Sequence, residues 1–145
     1  MRLTVVGCAG SFPGPRSPAS CYLVEHDGFR VAFDLGNGAV GALQRHIDLD
    51  QLDAVVLSHL HADHCLDLCS FYVYRRYHPE GPRPRIPVYG PAGTAERMAR
   101  AHLGLPSKPS EAVRLFQQAM SGNARQKAEI LAEVERRVAQ RKTRH

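Results

Sequence analysis

The chain has 145 residues, 43% of them hydrophobic and 23% charged, with a formal net charge of +5. That length fits one domain able to bury a core, and no apolar run approaches the roughly 20 residues a bilayer span needs, so a membrane role is not expected. Residues 1–105 carry ten Lys/Arg against ten Asp/Glu, while residues 106–145 carry nine against four; the basic surplus belongs to the tail and only weakly suggests a nucleic-acid partner for the domain as a whole.

The N-terminus, MRLTVVGCAG, has too short an apolar run for a signal peptide, and the expected location is cytoplasmic. Its RLTVVG portion is a predicted first strand, rich in β-branched residues. CAGSFPGPRSPAS follows, too broken by proline and glycine for a regular element. CYLVEH and FRVAFDL are predicted strands joined at Asp27-Gly28, a strong hairpin signal. GNGAVGALQRHI predicts a short helix weakened by Gly38 and Gly41. LDAVVLSH is a continuous apolar strand of the parallel, buried kind. From Ala62 to about Tyr77 a helix is predicted, with Leu66, Cys69, Val73 and Tyr77 on one face. A proline-rich loop leads to the short strand IPVYG and to a helix, PAGTAERMARAHLG. Alternation of strands and helices indicates an α/β fold. Composition changes at LPSKPS, and residues 106–145 predict a helical hairpin with Ser110 as a cap. Cys8, Cys21, Cys65 and Cys69 form no C-x-x-C pair and are expected to be free thiols, with Cys65 and Cys69 as small buried residues.

One stretch stands apart. In VVLSHLHADHC, three of the chain's eight histidines and an aspartate occupy positions 59 to 64. In an extended segment alternate residues face the same way, so His59, His61 and Asp63 can converge just past a strand end, with His64 opening the next helix. Imidazole nitrogen and carboxylate oxygen are zinc donors, and the carboxyl ends of buried strands are where α/β proteins place ligands. A polar loop whose histidines merely cap a helix is the competing reading.

SHLHADH after DAVV resembles the signature motif of the metallo-β-lactamase fold hydrolases. LTVVGCAGSFPGPRSPASCYLVE, FDLGNG and IPVYGPAG are similar, in order and spacing, to segments of that family's ribonuclease Z and phosphodiesterase branch. The resemblance covers residues 1 to about 105 and implies the first half only of an αββα sandwich, which the helical hairpin read from the tail's own residues would follow. It implies that His59 and His61 hold a first zinc, that Asp63 and His64 hold a second, and that Asp34 and Ser58 support the metal loop. It also implies a metal-activated water attacking a small phosphodiester or RNA substrate, with the water's pKa lowered from 15.7 to roughly 7 and Asp63 orienting it or protonating the leaving group.

The family takes three more ligands from its second half, a His, a bridging Asp and a final His. After His64 this chain has His78, His102 and His145, and its remaining aspartate is Asp67; none has the strand-end context of those ligands. Two readings follow. One is a zinc-dependent hydrolase, phosphodiesterase-like or ribonuclease Z-like; the alternative is a catalytically impaired or truncated half-domain serving as a metal-binding or protein-interaction module. A homodimer could cover the exposed sheet, though a second copy would bring only the same first-half ligands. GCAGSFPG lacks the Lys-Ser/Thr pair of a P-loop and is expected to be a structural turn beside the metal site. The arginines and aromatics of FYVYRRYHPEGPRPR are expected to form a solvated helix end before a nucleic-acid surface, and the basic tail a solvated helix face.

Overall fold

The computed structural model describes residues 1–103. Five strands form one sheet in the order β1-β2-β3-β4-β5. Strands β1 (Arg2–Gly7), β2 (Cys21–His26) and β3 (Phe29–Phe33) make an antiparallel meander. Asp27 and Gly28 take φ of 49° and 82° in the two-residue loop between β2 and β3, the left-handed pair that matches a hairpin's twist. Strands β4 (Ala54–Val56) and β5 (Val88–Tyr89) then add in parallel. Parallel pairing needs crossovers; helix α1 (Ala39–Leu43) bridges β3 to β4, and α2 (Ala62–Cys65) with α3 (Leu68–Arg76) bridges β4 to β5. Helix α4 (Thr94–Leu103) follows β5.

The predicted α/β class and every predicted element up to α4 are present. The tail hairpin, its cap at Ser110 and the boundary at Leu105 lie outside the described residues. Among the described residues no helix is long and apolar enough to cross a membrane.

One face of the sheet supplies Val6, Cys21, Leu23, Ala32 and Val55 to a core shared with Leu43, Leu49, Leu52, Leu68, Phe71 and Met98. Cross-strand partners share a face, so the register places Leu3, Val24, Val31 and Ala54 in one row on the opposite side, and Val5, Tyr22, Phe33, Val56 and Tyr89 in the next. Both faces are therefore apolar, the pattern of a sheet covered on both sides. On β1, at the edge, Leu3 and Val5 are 61% and 54% exposed.

The helix expected over residues 62–77 is broken at Leu66-Asp67. Its backbone groups are drawn into neighbouring loops: the Asp63 carbonyl accepts from Ser20 N at 3.1 Å, the His64 carbonyl from Leu35 N at 2.8 Å, and Asp67 N donates to Leu35 O at 2.9 Å. The break rephases the helix, which corrects the expected buried stripe. Leu68 and Phe71 are buried, whereas Val73 and Tyr77 are exposed. All four cysteines are free thiols; Cys21 and Cys65 are buried, and Cys69 is half-buried.

Candidate metal centre

Strand β4 delivers the histidine cluster at its carboxyl end. Its ladder continues to Leu57, whose N–H donates to Tyr89 O at 2.7 Å, and the chain stays extended through His61 (φ −67°, ψ 150°) before α2 starts. The helix thus begins before Asp63, so Asp63 is placed by a helical turn and not by the strand-like alternation expected of it. His59 meets the ring of His61 edge-on at 4.8 Å between centroids and that of His64 at 3.9 Å.

Asp34 organises this cluster from beneath. It is 5% exposed and takes φ of 61°, a left-handed conformation that costs a non-glycine residue roughly 1–2 kcal/mol. The strain is held in place by the bonds the carboxylate gathers. Oδ1 accepts from Ser58 N at 2.7 Å and from Ser58 Oγ at 2.9 Å. Oδ2 accepts from Ser58 Oγ at 2.8 Å, from Ser20 Oγ at 3.3 Å and from His64 Nδ1 at 2.7 Å. The N–H of Asp34 itself donates to Val56 O at 2.8 Å, tying the residue to β4. Ser58 Oγ also lies 3.0 Å from His59 Nδ1.

The backbone around the cluster is just as tightly fixed. Gly36 sits where a Cβ would come within 1.9 Å of the Asp63 carbonyl oxygen, and its N–H donates to Ser20 O at 2.9 Å. Asp67 accepts from Val40 N at 2.9 Å, fastening α1 to the start of α3. The loop between β1 and β2 is irregular, as expected, and closes through Ala9 N to Pro18 O at 3.1 Å and Cys8 N to Ser17 Oγ at 3.1 Å. Through Ser20, whose N–H donates to the Asp63 carbonyl, it abuts the segment after β4. Neither Ser20 nor Gly36 was singled out from sequence; the Asp-x-Gly spacing after β3 held a signal for Gly36, and nothing local marked Ser20.

The donor chemistry fits a divalent cation in part. His64 holds Nδ1 against Asp34, so its Nε2 faces outward, and that Nε2 lies 3.4 Å from Asp63 Oδ2. Two ligands of one tetrahedral zinc ion lie roughly 3.3–3.6 Å apart, so this pair has the span of two donors to a shared ion. Among the described residues, however, no group of three or more His, Cys, Asp or Glu side chains is disposed to hold a metal ion. A complete cage needs donors from elsewhere, and His78 and His102 do not supply them: their rings pack against Tyr74 and Tyr72 at 5.2 and 5.0 Å. His145 lies outside the described residues.

Two arginines of this stretch, Arg75 within α3 and Arg83 beyond it, are engaged by neighbouring side chains. Arg83 Nε is 2.7 Å from Asp50 and its Nη2 is 2.9 Å from Glu80, while Arg75 lies over the Phe71 ring at 5.5 Å and 3.9 Å from Asp50.

The sequence profile of the metallo-beta-lactamase superfamily matches residues 14–121. An uncharacterised protein of Mycobacterium tuberculosis is 50% identical over 102 residues, covering 70% of this chain and 37% of that one. Ribonuclease Z of Methanosarcina acetivorans is 30% identical over 97 residues, 66% of this chain and 31% of that one. The crystal structure of the short form of human tRNase Z superposes with a TM-score of 0.60 at 25% identity, covering 69% of this chain and 38% of that one. The chain thus matches about a third of the length of these relatives.

Proposed function

Because the chain belongs to the metallo-beta-lactamase superfamily, whose matched relatives include ribonuclease Z, we propose that it serves a metal-dependent hydrolase, cytoplasmic and using zinc, that cleaves a phosphodiester or RNA. One observation carries this reading. A buried carboxylate, Asp34, clamps the loop after β4 and turns His64 so that Nε2 meets Asp63 Oδ2 across 3.4 Å. A bare ring nitrogen and a carboxylate oxygen repel at that distance, and a cation between them reverses the sign.

In this reading His59 and His61 hold one zinc, and Asp63 and His64 a second. Bound there, the ions supply positive charge that acidifies water and offsets charge on the phosphodiester oxygens. The protein's part is preorganisation. Asp34 and Ser58 hold the rings in place before substrate arrives, and Asp63, 21% exposed at its side chain, is open enough to orient water or to protonate a leaving oxygen.

The absence of a three-donor group among the described residues favours a second reading, in which residues 1–103 form a metal-binding half-domain that works only with further polypeptide. A second copy covering the face that bears Leu3 and Val5 is one way to supply it. The test measures zinc per chain and hydrolysis of bis-p-nitrophenyl phosphate by the full chain. Two zincs with turnover abolished by Asp63→Ala support the hydrolase. Less than one zinc and no turnover support the half-domain, and sedimentation of the same sample reads self-association.

A further inference from the structure

Four polar atoms meet around Ser58 Oγ, and only one arrangement of hydrogens suits them all. The hydroxyl oxygen lies 2.9 Å from Asp34 Oδ1 and 2.8 Å from Asp34 Oδ2, 3.0 Å from His59 Nδ1 and 3.4 Å from His64 Nδ1. A serine hydroxyl has one proton and two lone pairs. If that proton pointed at His59, the oxygen would face two carboxylate oxygens with lone pair against lone pair at under 3 Å. The proton therefore lies between the carboxylate oxygens, where a charge-assisted bond is roughly twice as strong as a neutral one.

The consequence passes to the histidines. With its proton given to Asp34, Ser58 Oγ can only accept from His59, so His59 must carry its hydrogen on Nδ1. His64 is set directly: its Nδ1 is 2.7 Å from Asp34 Oδ2, and a carboxylate oxygen can only accept, so that nitrogen carries a hydrogen. We propose that Ser58 is a positioning residue that relays the demand of Asp34 to His59, so that one buried carboxylate fixes a hydrogen on Nδ1 of two histidines and leaves Nε2 of each as the atom a cation would meet. A ring nitrogen ligates only when bare, and the partner of the other nitrogen decides which one that is. The relay rests on the proposed metal-binding reading for its purpose, but the proton positions it assigns exist without metal.

The test therefore uses the full chain stripped of metal. Long-range 15N–1H correlation on the neutral imidazole rings reads which nitrogen carries hydrogen. The expected wild-type result is Nδ1–H for both His59 and His64. In Ser58→Ala, His59 loses its acceptor and gains Nε2–H population while His64 keeps Nδ1–H; Ser58→Thr restores His59. Zinc affinity measured on the same proteins should fall about 10- to 100-fold in Ser58→Ala and recover in Ser58→Thr. A wild-type spectrum with His59 as Nε2–H overturns the relay, and so does a Ser58→Ala protein whose His59 tautomer is unchanged. Should Ser58→Ala not fold, the wild-type spectrum still decides. Wild-type tautomers as assigned, in a protein that takes up no zinc, would uphold the relay and overturn the metal-binding reading.

Discussion

Cys21 opens β2 with its side chain fully buried, directly after Ser20 and within reach of the field of Asp34. Burial first, then the negative charges of Asp34 and Asp67, push its thiol up to about 12 from 9.0. Burial raises Cys65 and Cys69 as well, against the opposing pull of Arg97. A thiol that stays neutral keeps a second anion away from the Asp34 carboxylate, whose hydrogen bonds hold the histidines. The linkage has a definite sign. An unfolded chain ionises this thiol from pH 9 upward and the folded chain does not until about 12, so the stabilising contribution is complete below pH 9 and is lost as pH rises from 9 to 12. Three units correspond to about 4 kcal/mol at most. Denaturant midpoints of the native chain and of Cys21→Ala, compared at pH 8 and pH 11, should converge as pH rises. Equal slopes in the two proteins would remove this account of Cys21. In the same native chain, a thiol reagent at pH 8 should label the exposed Cys8 well before Cys21.

Two glycines show how far placement within an element decides the effect of one methyl group. Gly36 lies in the turn after β3, where a Cβ would press on the Asp63 carbonyl at 1.9 Å and on the Ala19 side chain at 2.8 Å. Neither the carbonyl nor the packed loop can yield without moving the loop after β4, so Gly36→Ala should destabilise by about 2 kcal/mol or more, the scale of overpacking. Gly41 lies within α1 with nothing inside 4 Å of its would-be Cβ, so Gly41→Ala should stabilise by roughly 0.5–1 kcal/mol. Urea midpoints check both, and a neutral Gly36→Ala would show that the turn is not what holds Asp63. The same contrast explains what could be read from sequence. The Asp27-Gly28 hairpin, β4 as a buried parallel strand and the donors at positions 59 to 64 are local patterns, legible within a few residues. The break at Leu66-Asp67 was not legible, because it arises when Ser20 and Leu35, remote in sequence, capture the carbonyls of Asp63 and His64. Ser20 escaped notice for the same reason: its partner Asp34 is 14 residues away. The candidate ligands were visible from local chemistry, while their orientation depends on tertiary contacts that no local pattern encodes.

At the scale of the molecule, the cluster joins three parts of the sheet at one end. Ser20 enters β2, Asp34 leaves β3 and Ser58 leaves β4, and all three meet at one carboxylate. A cation held by the loop after β4 is therefore coupled to the packing of the whole sheet and not to a single loop. Binding to the folded chain alone stabilises it by about 2.7 kcal/mol at a hundred times the dissociation constant, less whatever the unfolded chain's own His and Cys side chains bind. At about 4 °C per kcal/mol for a domain of this size, zinc added to the chelator-stripped full chain should raise the melting temperature by about 10 °C in one cooperative transition. His64→Ala should lose most of that rise, since it removes both the Nε2 facing Asp63 and the Nδ1 anchored on Asp34. A double substitution on the far face of β1, Leu3→Thr with Val5→Thr, touches no donor and should keep the zinc-dependent rise. If zinc and chelator give the same melting temperature in the native chain, the donors at the end of β4 do not grip a cation tightly enough to matter to the fold. If His64→Ala retains the full rise, the ion is bound elsewhere.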